Sequence, residues 1–273
     1  MKKISVLSLT IVLCFSLCAC SSLKSDKERY VKNRIVTSIP SEIGFDPVRI
    51  IYEFTANGLL ISEKGFVKRI GNSDYTEEYN TYYRYNNDGK INYIEYSDGN
   101  IIKFNEKYED DYCICSASSY DTEFKYTYKN NILVKKENID NVSVLRSYYD
   151  NEGNLIKSET STSSGCVESM YDSNGNNIET TVYDSTGKIT EKFNYVYNEN
   201  FLVQVIQENI DSKTELHYSV EKIDKNSYKS IQLENNGNYI LYVFDDYGNL
   251  IENSSYSNGE LINKTEYEWV NKN

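Results

Sequence analysis

The chain has 273 residues and a formal charge of −12, from 41 acidic against 29 basic side chains. A surface this acidic repels an extended phosphate backbone, which excludes nucleic acid as a partner. Tyr occurs 27 times against 9 Phe and 1 Trp, and Pro only twice, a profile of half-buried sheet surfaces rather than helices, so an all-β chain is expected.

Met1-Lys2-Lys3 followed by an uncharged run from Ile4 to Ala19 reads as a basic n-region and a short apolar h-region. A membrane-spanning helix needs ~20 apolar residues, and the chain turns polar at Ser21, so residues 1–19 are a processing signal rather than a span. Leu17-Cys18-Ala19-Cys20 resembles the bacterial lipobox, in which a Cys follows a small residue at the cut. By that resemblance Cys20 becomes the acylated first residue. The domain is then held to the cell membrane or outer membrane by its lipid, outside the cytoplasm. Residues 20–33 are polar and charged and read as lipidated Cys and flexible tether, and residues 34–273 as a single domain.

Residues 35 to 70 have weak periodicity and are expected to form an N-terminal cap. A unit then recurs. An aromatic is followed three or four residues later by Gly, usually with Asp or Asn between, and then by an aliphatic residue. It occurs at Phe54–Gly58, Tyr85–Gly89, Tyr96–Gly99, Tyr149–Gly153, Tyr171–Gly175, Tyr183–Gly187, Phe244–Gly248 and Tyr256–Gly259. Asp or Asn can bond the backbone two residues on, and Gly supplies the positive φ that closes a type I turn as a bulge, so each unit is a hairpin. The aromatic before and the aliphatic after then face each other, as Tyr149 and Leu155 would. Tyr128-Lys-Asn-Asn131 and Tyr197-Asn-Glu-Asn200 read as copies in which Asn replaces Gly. A lone hairpin is marginal in water, so the copies are expected to stack as an antiparallel meander, an extended or curved sheet. Within it Tyr82 and Tyr96 are expected on one face, Tyr83 and Tyr85 on the other.

Chemistry-bearing residues are sparse. Cys113 and Cys115 fall on one strand face, and with Cys166 they leave an odd number of cysteines in the mature chain. They read as buried small side chains with one bridge from Cys166 to either partner. His217 is the only imidazole and has no Gly-x-Ser-x-Gly elbow beside it, so no catalytic residue is assigned. Zinc-type ligand spacing and a Gly-rich phosphate loop do not occur. Asp172-x-Asn174-Gly175-Asn176 and Asp245-Asp246-x-Gly248-Asn249 are oxygen-rich, but neither ends in the bidentate Glu of a calcium loop, and the turn accounts for each Asp. No metal or cofactor is expected.

The unit Tyr149-Asp-x-x-Gly-Asn-Leu155, with near copies at 171, 183 and 244, resembles the YD repeat of RHS-type proteins over most of residues 80 to 262. The resemblance implies hairpin arrays and a surface location. This chain is too short for the closed toxin shell of that family. The function expected is a non-catalytic envelope lipoprotein that binds an extracellular glycan or envelope protein. Its competitors are a spacer that assembles through sheet edges and, behind both, a hydrolase using carboxylates.

Overall fold

A computed structural model describes residues 29–38, 47–56, 58–69, 72–119, 121–199, 201–209 and 213–271. The signal, Cys20 and most of the tether lie outside the described residues. Among the described residues every regular element is a strand. The first ten are β1 (Arg29–Ser38), β2 (Val48–Phe54), β3 (Leu60–Val67), β4 (Thr76–Tyr85), β5 (Ile91–Tyr96), β6 (Ile101–Lys103), β7 (Asn105–Glu109), β8 (Tyr112–Ser119), β9 (Thr122–Lys129) and β10 (Ile132–Ile139). The rest are β11 (Ser143–Tyr149), β12 (Leu155–Thr162), β13 (Gly165–Tyr171), β14 (Asn177–Asp184), β15 (Ile189–Asn198), β16 (Phe201–Asn209), β17 (Lys213–Lys222), β18 (Ser227–Gln232), β19 (Tyr239–Phe244), β20 (Leu250–Ser257) and β21 (Glu260–Asn271).

The all-β antiparallel meander is therefore present, and it curves into a nearly closed, barrel-like ring. β1 closes it, pairing β2 on one side and β21 on the other. The segment expected to cap the array is thus its seam. Arg29–Asn33, expected as tether, are strand instead, because β21 supplies partners as far as Arg29↔Asn271 and satisfies the backbone whatever the side chains.

The hairpin turns follow their sequence unit. Asp150 accepts from the amides of Glu152 and Asn154 at 2.8 and 2.9 Å and from the Asn154 side chain at 2.9 Å. Gly153 takes φ 85°, the pairing slips between Tyr148 and Tyr149, and Tyr149 faces Leu155. Asp172 and Asp245 repeat these bonds. The Asn-for-Gly copies differ. Lys129 pairs Ile132, and Asn130 and Asn131 are both left-handed (φ 51° and 63°), which makes a two-residue type I′ loop.

Register places Tyr96 opposite Thr81 and Ile94 opposite Tyr83. Tyr96 thus lies on the inward face with Tyr83 and Tyr85, and Tyr82 lies outward, contrary to expectation. The cause is the bulge at Arg84/Tyr85, whose extra residue shifts the register by one and swaps the faces.

The ladder changes hands at two corners. Along residues 101–109, β6 pairs β5 while its continuation β7 pairs β8. Along β17, residues 213–217 pair β16 and residues 218–222 pair β18. At the first corner the two halves of the ring fold together over Ile91, Ile94, Ile102, Phe104, Cys113, Cys115, Ala117, Tyr126 and Tyr128. Ile91 and Ile94 are 1% and 2% exposed, and burying each contributes ~1.5–3 kcal/mol. At the second corner Phe201 packs against Tyr228, Tyr242 and Phe244, with ring centroids 5.0, 5.4 and 6.1 Å away. Between the corners the inward row of β11–β14 is small and hydroxylic, Ser147, Ser158, Ser169 and Thr180. The Tyr171 hydroxyl lies 3.1 Å from Ser158 Oγ.

Candidate functional site

The outward face of β10–β13 carries a row of ion pairs. Glu137 meets Lys135 at 2.8 Å and Arg146 at 3.2 Å, Arg146 also grips Glu159, and Lys157 meets Glu168 at 2.9 Å. Burial pushes the Glu137 carboxyl up, but Lys135 and Arg146 outweigh it and hold the group below the usual carboxylate range.

Beside this row lies a shallow depression of about 420 Å³, where β12, β13 and β14 meet their turns. The two-residue hairpin between β12 and β13 puts Ser161, Cys166 and Tyr183 in one cross-strand line. Ser161 Oγ donates to Cys166 Sγ at 3.4 Å. Tyr183 donates from its hydroxyl to one Glu168 oxygen at 3.4 Å, and Lys157 holds the other oxygen at 2.9 Å. Thr162, Asp184, Ser185 and Gly187 complete the rim. Burial pushes the Cys166 thiol up, against a smaller lowering by the Ser161 hydroxyl, so the sulfur is a thiol at neutral pH. Burial, followed by the Glu168 charge, also raises Tyr183. The surface offers hydroxyls, carboxylates and one aromatic ring. These residues could not be picked from the sequence, because cross-strand register alone brings them together.

Strand directions alternate around the ring, so this depression sits on the rim opposite the one where β1 begins. His217 is four strands away on β17, half-exposed, with Nε2 3.5 Å from Glu215. Cys113 and Cys115 are buried at the first corner and share a face, as expected. The expected bridge to Cys166 is not formed. All three are free, because Cys166 points outward on β13 while the pair points into the core from β8. Asp172 and Asp245 direct a carboxylate oxygen at two amides of their own turns. Among the described residues no group of three or more His, Cys, Asp or Glu is placed to hold a metal ion.

A second polar group marks the first corner. Lys90, 4% exposed, donates to the Tyr108 hydroxyl at 3.3 Å, and that hydroxyl donates to Glu106 at 2.8 Å. Asn86 reaches the other Glu106 oxygen at 2.9 Å. These side chains tie the β4–β5 turn to β7 where the backbone ladder is interrupted.

No family model matches the chain, and no curated protein matches it. Among solved structures it is similar to a porin-like protein from Bacteroides uniformis, at 11% identity and a TM-score of 0.38, over 90% of this chain and 98% of that one. A porin-like protein from Bacteroides vulgatus is 11% identical with a TM-score of 0.27, over 88% of this chain and 98% of that one. The TcdB2-TccC3-TEV structure is 12% identical with a TM-score of 0.31, over 80% of this chain and 12% of that one. Likenesses this low assign no kinship.

Proposed function

We propose that this is a lipid-anchored, non-catalytic protein of the bacterial envelope whose β-ring, built from YD-type hairpins, presents a glycan-binding depression on the rim away from its anchor. The observation that carries the reading is the position and chemistry of that depression. Tyr183, Glu168, Ser161 and Thr162 line it, and the rim it occupies is opposite the start of β1, nine residues beyond Cys20. A ring with hydroxyl and carboxylate neighbours suits a sugar, which stacks its carbon face and bonds at its edge. A protein partner would call for ~800 Å² of surface with an apolar centre. The outward charged row on β10–β13 supports a ring outside the bilayer, since a membrane barrel turns an apolar band outward.

A glycan-array screen of the purified protein, followed by titration of hits, tests the reading. Saturable binding to one glycan class, weakened at least about tenfold by Tyr183→Ala at unchanged fold, is the expected result. Silence of the folded protein across the array sinks the glycan reading, and an undiminished Tyr183→Ala moves the site elsewhere. The anchor is tested separately: Cys20→Ser should abolish palmitate labelling and release the protein from the membrane fraction.

A further inference from the structure

Where a ladder splits, the half-strand left over has one unpaired edge, and the two corners treat that edge differently. At β17 it is covered. The carbonyl of His217 accepts from Leu233 N at 2.8 Å, and the Glu234 carboxylate accepts from His217 N at 3.4 Å, so the turn after β18 lies over the edge at His217, where the ladder splits. At β7 the described residues provide one partner only, β8, and all five residues Asn105–Glu109 are exposed.

The direction of the free groups follows from the turn. Glu109 and Tyr112 close a two-residue loop, so Glu109, Lys107 and Asn105 bond across to β8. The N–H and C=O of Glu106 and Tyr108 therefore point away from β8. Phe104 confirms the alternation, since its N–H donates to Asn92 O on the β5 side at 2.9 Å. Beyond Asn92, β5 leaves for its turn, and only side chains reach across to β7.

The strip Asn105-Glu-Lys-Tyr-Glu-Asp-Asp111 holds four carboxylates and one cation, and Lys107 is already engaged by Glu109 at 2.5 Å. Charges on an edge strand ordinarily keep like chains apart. An acidic edge repels another copy of itself but attracts a cationic strand, and its unpaired backbone groups are what strand addition uses. We propose that β7 is a docking edge for an extended basic segment of a partner protein, which adds as a strand against Glu106 and Tyr108. This goes beyond the glycan depression, which lies on another part of the ring and can fail independently.

The test uses a fluorescein-labelled octapeptide of alternating Lys and Val, titrated into the purified protein at low salt, with the Glu/Val octapeptide as control. Saturable binding of the Lys peptide alone is expected, together with slowed amide exchange at Glu106 and Tyr108. Tyr108→Pro, which deletes an outward N–H, should weaken it at least about tenfold, while Tyr108→Phe leaves it unchanged. Absence of saturable binding overturns the proposal. So does binding without slowed exchange at those two amides, which is adsorption to charge, and this readout in the unaltered protein decides the matter if the proline variant misfolds. Protection of the same amides by concentration alone, without peptide, makes the occupant a second copy and also overturns it.

Discussion

At one corner of the ring the ladder changes partner across Phe104, between two short strands; at the other it changes within a single strand, between His217 and Tyr218. Both corners use the same patch. Tyr128 accepts from the amide of Ile91 at 3.0 Å, and Tyr242 accepts from the amide of Leu202. Each is a buried inward tyrosine whose hydroxyl takes up an amide on the far half of the ring. The packing differs. The β6–β7 corner is a buried mixture of Ile, Cys and aromatic side chains, whereas at the β17 corner half-buried Phe201, Tyr228 and Phe244 gather around the buried Tyr242 beside a turn. A meander can thus close without continuous pairing if each break is backed by a core and one amide beside it is capped by a phenol.

The enclosed corner should carry more of the stability. Ile94→Ala is expected to lower unfolding free energy by about 3–4 kcal/mol, and Phe201→Ala by about 2–3 kcal/mol because its surroundings are open enough to relax. Urea unfolding monitored by Tyr fluorescence measures both; a larger loss at Phe201 would reverse the ranking of the two corners. The phenol caps come next. Tyr128→Phe and Tyr242→Phe keep the rings and delete only the hydroxyls, leaving a buried amide unpaired at a cost of about 1–3 kcal/mol each. If either substitution is neutral, water or another group takes up that amide.

How much of this could be read from the chain divides along the same line. The turns were legible because all their determinants are local: Asp150, Gly153 and Asn154 carry the bonds and the positive φ within five residues. Closure was not legible. It joins Asn33 to Glu268 across nearly the whole sequence, and β1 and β21 carry no motif that names the other. The Tyr96 face departs from the strand count for an intermediate reason: the turn is visible in the sequence, but its bulge adds one residue to the count and inverts every side chain beyond. The depression at Tyr183 depends on three strands in register, so nothing in any one strand announces it.

Titration sharpens the contrast from another direction. Burial first, then neighbouring charges, pushes Tyr83, Tyr85 and Tyr126 well up at the first corner, and burial raises Tyr195 and Tyr242 to about 12 near the second. A phenol with a raised folded pKa keeps its proton in the native state while the unfolded chain releases it above about pH 10. Stability is therefore whole below pH 10 and falls as pH climbs toward the folded values, by up to about 1.4 kcal/mol per pH unit for each buried tyrosine. Alkaline urea titrations should show this slope, and Tyr126→Phe should flatten it by one proton's worth. An unchanged slope would mean that Tyr126 ionises equally in both states.

The smallest effect separates a turn from a latch. Asn86 and Asp150 occupy the same position in two hairpins, and each accepts from two amides of its own turn. Only Asn86 also bonds across the broken ladder, to Glu106 on β7. Changing either to Ala should cost a similar amount, about 1 kcal/mol, from the lost turn bonds. Global unfolding cannot tell the two apart, but native-state amide exchange can. Asn86→Ala should speed exchange at the β8-bonded amides of Asn105, Lys107 and Glu109 while Asp150→Ala leaves them unchanged, because side chains are what tie β7 to the β4–β5 turn. Equal exchange in the two variants would mean that β7 is held by β8 alone, and that the first corner is gated by its core rather than by the polar group at its mouth.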